Sequence, residues 1–184
     1  MCSLKKVVFM LRLEEGVSLP KLRCKCLTLE MYVTKNNLYG VASLLQSSSL
    51  LETLNIHLRA GACNDFRCQL ELRYLAKGRY IYLQSWISSI VFPNLKNVRV
   101  NASVVECRKR WFGRGNDKLF ELSAFLLKNA MALKKFVIVS KRRICMKCSE
   151  SCVSQYLSGL AKKLLDTPRS SKKFVIIYQE SALD

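Results

Sequence analysis

With 184 residues, half of them hydrophobic, the chain can bury the core of one domain or of one short repeat array, and no apolar run approaches the roughly 18–20 residues that cross a bilayer as a helix. Its 31 lysines and arginines against 13 acids leave a net charge of +18, which attracts nucleic acid or an acidic protein surface and says nothing about fold. Nine cysteines is an odd number, so at least one must stay unpaired or find a partner elsewhere.

The opening "MCSLKKVVFMLRLEEG" carries an apolar stretch, Val7 to Leu11, that stops at Arg12. This is shorter than the ~7–15 apolar residues of a secretory signal. It reads as a strand, and the protein as intracellular, cytoplasmic or nuclear. Cys24, Cys26, Cys63, Cys68 and Cys107 are scattered among apolar residues. In a reducing compartment they behave as small hydrophobes.

Further along, one pattern recurs: an apolar anchor, a polar or basic pair, then alternating apolar residues. It appears as "CKCLTLEMYV" (Cys24–Val33), "LETLNIHL" (Leu51–Leu58), "LKNVRVNA" (Leu95–Ala102) and "LKKFVIVS" (Leu133–Ser140). A fifth copy, "SKKFVIIY" (Ser171–Tyr178), lacks the leucine anchor. Aligning Leu27, Leu54, Val98, Phe136 and Phe174 gives steps of 27, 44, 38 and 38 residues. Self-similarity of this kind marks a repeat array.

Each copy alternates with period two, which predicts strands near Leu27–Val33, Leu54–Leu58, Leu95–Asn101, Lys135–Val139 and Lys173–Tyr178. Between them lie helical spacings. Leu38, Val41, Ala42 and Leu45 predict a helix over Leu38–Gln46. Leu119, Leu122, Leu126 and Ala130 predict one over Lys118–Ala130, with Asn116 or Asp117 as N-cap. Val153, Tyr156, Leu157, Leu160 and Leu164 predict a third over Cys152–Leu165, ended by Pro168. Between Ala60 and Val91 the pattern is weaker: "CQLELRYL" alternates like a strand, and "YIYLQSWISSIVF" fits a strand or a buried helix.

Strand, helix, strand in one sense implies right-handed crossovers and a parallel sheet. The expected fold class is therefore α/β, a solenoid of the leucine-rich-repeat kind. The first step of 27 fits its period of ~20–29 residues, and the steps of 38 require a longer unit. An antiparallel pairing of the last two strands would break this reading.

"LRCKCLTLEMYVTKNNLYGVASLLQSSSLLETLNI" resembles the late leucine-rich repeats of plant F-box/LRR proteins. "YLQSWISSIVFPNLKNVRV", "ELSAFLLKNAMALKKFVI" and "LAKKLLDTPRSSKKFVIIY" resemble the FBD region that ends many of them. The likeness spans roughly Val17 to Tyr178. It implies leucine-rich repeats over residues 1–66 and an FBD-like region over 67–184 that continues the solenoid. It also implies the substrate-recognition part of a ubiquitin ligase adaptor. Nothing here matches the helical, Leu-Pro-containing F-box, so the Skp adaptor is not an expected partner. Lys172 and Lys173 also depart from the apolar or Pro-bearing stretch usual after "PRSS".

Two local features invite other chemistry. "ICMKCSESC" places Cys145, Cys148 and Cys152 at close spacing. Structural zinc takes four ligands, commonly two close pairs; the fourth here must come from afar, with Cys107 the best candidate. Without a second pair the segment reads as a connection between strand and helix, and no metal or cofactor is expected. "CRKRWFGRG" offers Arg108, Lys109, Arg110 and Trp111, which could grip a phosphate backbone and stack a base. The other reading is a solvated connection. A basic nucleic-acid-binding module is thus the alternative function.

No nucleophile elbow, phosphate-binding loop, metalloprotease motif or carboxylate pair occurs, and His57 has no sequence partner that would make it a general base. The chain does not read as an enzyme. The x positions of each L-x-L project from the exposed sheet face, where such arrays hold partners. They are Thr28, Glu30, Tyr32, Asn55, His57, Arg99 and Asn101, the candidate contacts to an unidentified protein. In the last two strands the same positions hold Val137, Val139, Val175 and Ile177, so that part of the face is expected to be covered.

Overall fold

A computed structural model of the chain describes residues 2–5, 21–31, 35–58, 89–102, 118–141, 152–171 and 175–181. The elements are β1 (Cys2–Lys5), β2 (Cys26–Met31), α1 (Lys35–Gln46), β3 (Thr53–Leu58), β4 (Asn97–Ala102), α2 (Lys118–Asn129), β5 (Lys135–Lys141), α3 (Cys152–Leu165) and β6 (Val175–Ser181). The fold is α/β. The six strands form one sheet in chain order, β1-β2-β3-β4-β5-β6, and every neighbouring pair is parallel. The last two strands are therefore parallel, as the strand–helix–strand pattern requires.

Alternation decides which side chains meet. Leu27, Leu54, Val98 and Phe136 lie in register across four strands, and all are buried. One step along, Leu29, Ile56, Val100 and Ile138 form a second buried row. The recurring anchors Cys24, Leu51, Leu95 and Leu133 are buried just before the strands begin. Apolar side chains at even spacing thus stack as stripes along the sheet, each strand covering its neighbour's hydrophobic row.

The helices cover this face. Val41, Ala42, Leu44 and Leu45 of α1 join the core, as do Leu119, Leu122, Leu126 and Leu127 of α2 and Leu157, Leu160 and Leu164 of α3. The i, i+3, i+4 spacing brings them to one stripe. Phe92 packs edge-on against Phe125 of α2 at 5.7 Å. It also forms a bridge with Ala130 just beyond that helix.

The strand entries repeat a backbone device. The Lys25 carbonyl accepts from the amides of Glu52 and Thr53, the Glu52 carbonyl from Lys96 and Asn97, and the Lys96 carbonyl from Lys134 and Lys135, all at 2.7–3.1 Å. The Lys134 carbonyl then accepts from Val175. This locks each strand to the one before it. Side chains reinforce the turns: Asn94 donates to the Ser49 carbonyl at 2.7 Å, Ser171 to that of Leu133 at 2.8 Å, and Ser170 to that of Lys128.

Three expectations are corrected. Aligning "KKFVIV" with "KKFVII" pairs Phe136 with Phe174, whereas the sheet pairs Phe136 with Ile176, two residues later. The last step is therefore 40 residues; the described strand is Val175–Ser181, in place of the expected Lys173–Tyr178, and residues 172–174 lie outside the described residues. A shift of two leaves every side chain on its expected face; a shift of one would have reversed them all. Second, the outward positions of β5 and β6 do not behave alike. Val137 and Val139 are buried, but Val175 is 59% exposed and Ile177 half-buried; among the described strands, β6 has a neighbour on one side only. Third, Cys2–Lys5 forms a strand beside β2 that no repeat pattern announced. The proposed strand at Val7–Leu11 and the "CQLELRYL" segment lie outside the described residues, as do the N-cap candidates Asn116 and Asp117.

Candidate partner face

The sheet face opposite the helices carries three rows of outward side chains. The first crosses Cys26, Thr53, Asn97, Lys135 and Val175; the second Thr28, Asn55, Arg99, Val137 and Ile177; the third Glu30, His57, Asn101 and Val139. Six of the seven partner-contact candidates, Thr28, Glu30, Asn55, His57, Arg99 and Asn101, are thus brought together on β2, β3 and β4. Tyr32 lies outside the described residues. His57 and Arg99 are exposed, and the other four are half-buried.

Asparagine amides link these strands. Asn55 Nδ2 lies 3.5 Å from Thr28 Oγ1 and 3.7 Å from Cys26 Sγ on β2. Asn97 Nδ2 lies 3.4 Å from Thr53 Oγ1 on β3. Both are long contacts, at the outer limit of hydrogen bonding. On β4, Arg99 Nε donates to Asn101 Oδ1 at 3.2 Å, and the Asn101 amide lies 3.5 Å from His57 Nδ1. That last contact is a hydrogen bond when the ring proton sits on Nε2. Asn101 thereby engages the guanidinium at its inner nitrogen, on a residue that is exposed. A planar fork of donors suits a carboxylate or a backbone carbonyl.

At the strand-entry edge, Lys96 Nζ bonds Glu52 Oε2 at 2.9 Å. This bond, with the charge of Lys96 and of the nearby Lys25 and Lys134, holds the Glu52 carboxyl below the usual carboxylate range. More than a third of each side chain is accessible to solvent, so the pair orients the two side chains more than it stabilises the fold.

Sequence reasoning missed Cys26, Thr53, Asn97 and Lys135. Counting outward positions from the first leucine of each L-x-L skips the residue before it, which the same alternation also turns outward. The other candidates are not brought to this face by any described contact. Cys107, Arg108, Lys109, Arg110, Trp111, Cys145 and Cys148 lie outside the described residues. Cys152 opens α3, and its side chain also lies outside them. Among the described residues, no three His, Cys, Asp or Glu side chains come together as a metal set, and Cys24 and Cys26 are thiols rather than half-cystines. Also among the described residues, no helix is long and apolar enough to cross a membrane.

The class defined by these observations is an α/β chain with one sheet face under helices and the other lined mainly by polar side chains over β2–β4 and by apolar ones over β5 and β6. Comparison with protein-family models, with curated proteins and with solved structures gives no match.

Proposed function

We propose that this chain is a protein-recognition module, a leucine-rich-repeat solenoid with an FBD-type ending, of the kind that selects substrates for F-box ubiquitin ligases. The stacking of all strands in chain order, with buried anchors and repeated strand-entry bonds, supports a solenoid. The observation that carries the functional reading is the outward face of β2–β4, where Arg99 and His57 stand exposed in a lattice of asparagines. Amide and guanidinium groups read peptide and carboxylate partners with little apolar help, and arginine is among the commonest interface anchors.

The test is capture from cell extract on immobilised full-length chain, followed by affinity measurement on whatever protein is recovered. Arg99→Ala combined with Asn55→Ala should weaken that protein by about 2 kcal/mol or more, roughly thirtyfold. Reversing Arg108, Lys109 and Arg110 to glutamate should leave it within about threefold. The opposite pattern would transfer the function to the basic segment. An affinity for duplex DNA that falls by about 0.9 log units per phosphate contact for each log unit of salt would then fit the nucleic-acid reading.

A further inference from the structure

The strand-entry edge has a charge pattern of its own. The repeated backbone bonds place Lys25, Glu52, Lys96 and Lys134 in one line, one residue per strand from β2 to β5. Neighbouring strands lie about 4.7–4.9 Å apart, so the line is about 14–15 Å long. Lys25 and Lys134 are exposed, and Lys96 keeps 39% of its side chain accessible. Lys21 and Arg23, just before β2 in the chain, and Lys135, at the start of β5, are exposed as well. Among the described residues of this line, three cations, Lys25, Lys96 and Lys134, accompany one acid, Glu52, and that acid is already bonded to Lys96. Lys25 and Lys134 add to the positive charge that, with the Lys96 bond, holds the Glu52 carboxyl below its usual range.

Three of these cations are positioned by the fold rather than scattered by composition. Lys25 and Lys96 sit where a main-chain carbonyl takes two amides of the next strand, and Lys134 where it takes one described amide, so each Cα is fixed even though the side chain is long. Exposed cations at fixed spacing raise the local concentration of anionic ligands and speed their encounter.

We propose that this cationic edge docks an acidic segment of the partner protein, next to the face that reads its side chains. The inference rests on the protein-recognition reading above. An acidic protein segment is favoured over a nucleic-acid backbone on two grounds. Glu52 interrupts the line, and a protein can place a neutral or basic residue there, whereas a phosphate backbone carries charge at every step. In addition, the phenylalanines whose burial is described, Phe92, Phe120, Phe125 and Phe136, are buried or packed against the core, so none of these offers a stacking platform at this edge.

Fluorescence anisotropy with the full-length chain tests this, using a labelled deca-glutamate peptide and a labelled 20-base-pair DNA duplex as probes. The triple change Lys25→Gln, Lys96→Gln, Lys134→Gln should weaken the glutamate peptide about tenfold. Removing the same charge from exposed helix and turn-side positions, by Lys128→Gln, Lys162→Gln, Lys163→Gln, should weaken it less than about threefold. The charge-preserving Lys25→Arg, Lys96→Arg, Lys134→Arg should retain binding, which separates lost charge from lost folding. Equal losses in both glutamine variants would reduce the edge to diffuse net charge and overturn the proposal. So would failure of the peptide to bind, or duplex binding that is tighter than peptide binding and depends on the edge. If a captured partner responds to Arg99→Ala but not to the edge changes, recognition by the open face stands and this inference falls. If it responds to neither, both fall.

Discussion

Replacing Phe136 with alanine should lower the unfolding free energy by about 3–5 kcal/mol. Phe136 is fully buried, and it is the bulkiest member of the row formed with Leu27, Leu54 and Val98. Its strand neighbours are Val98 on β4 and Ile176 on β6, so it stands where the later strands join the earlier ones. Truncation removes the transfer energy of a ring and leaves a cavity that helices fixed on either side cannot readily fill. A domain holds only about 5–15 kcal/mol in total. The variant should therefore unfold at much lower denaturant, and its midpoint in a urea titration read by circular dichroism measures this. A loss under about 1 kcal/mol would mean that Phe136 is not a core residue and that β5 is placed wrongly.

The second large effect comes from adjacent residues. Ile56→Asn should cost about 3 kcal/mol or more, while His57→Asn should change stability by no more than about 0.5 kcal/mol. Ile56 is fully buried between Leu29 and Val100, and asparagine there would bury an amide with no partner. His57 faces outward and is exposed, with only the long contact to Asn101 to lose. One new side chain at two successive positions thus reports which face each one occupies. Equal costs at 56 and 57, read from the same urea titration, would contradict the face assignment of β3.

Face assignment was the most legible feature of the sequence, because period two survives errors of alignment. The two-residue misplacement of "SKKFVIIY" shows this: the expected and observed registers differ by two, yet Val175 and Ile177 fall in the outward rows in both. The three helices were legible for a similar reason, since leucines at i, i+3, i+4 and i+7 leave few other options. The mismatch in register arose because "KKFVI" occurs twice, and local similarity outweighed pairing energy that no single segment displays. β1 was missed because "CSLK" is too short to show alternation. The polar face was legible in outline from Thr28, Asn55, Arg99 and Asn101. The cationic edge was not, because Lys25, Lys96 and Lys134 lie 71 and 38 residues apart in sequence and become neighbours only once strand order is known.

Whether the open face is the partner surface is decided most directly by site-specific photo-cross-linking to a captured partner. A photoreactive amino acid would replace His57, exposed on β3, or in a separate variant Lys162, exposed on α3. Neither change touches the core, so both chains should fold. Position 57 should cross-link to the partner on illumination, and position 162 should not. A cross-link from 162 with none from 57 would place the partner on the helices and contradict recognition by the polar sheet face.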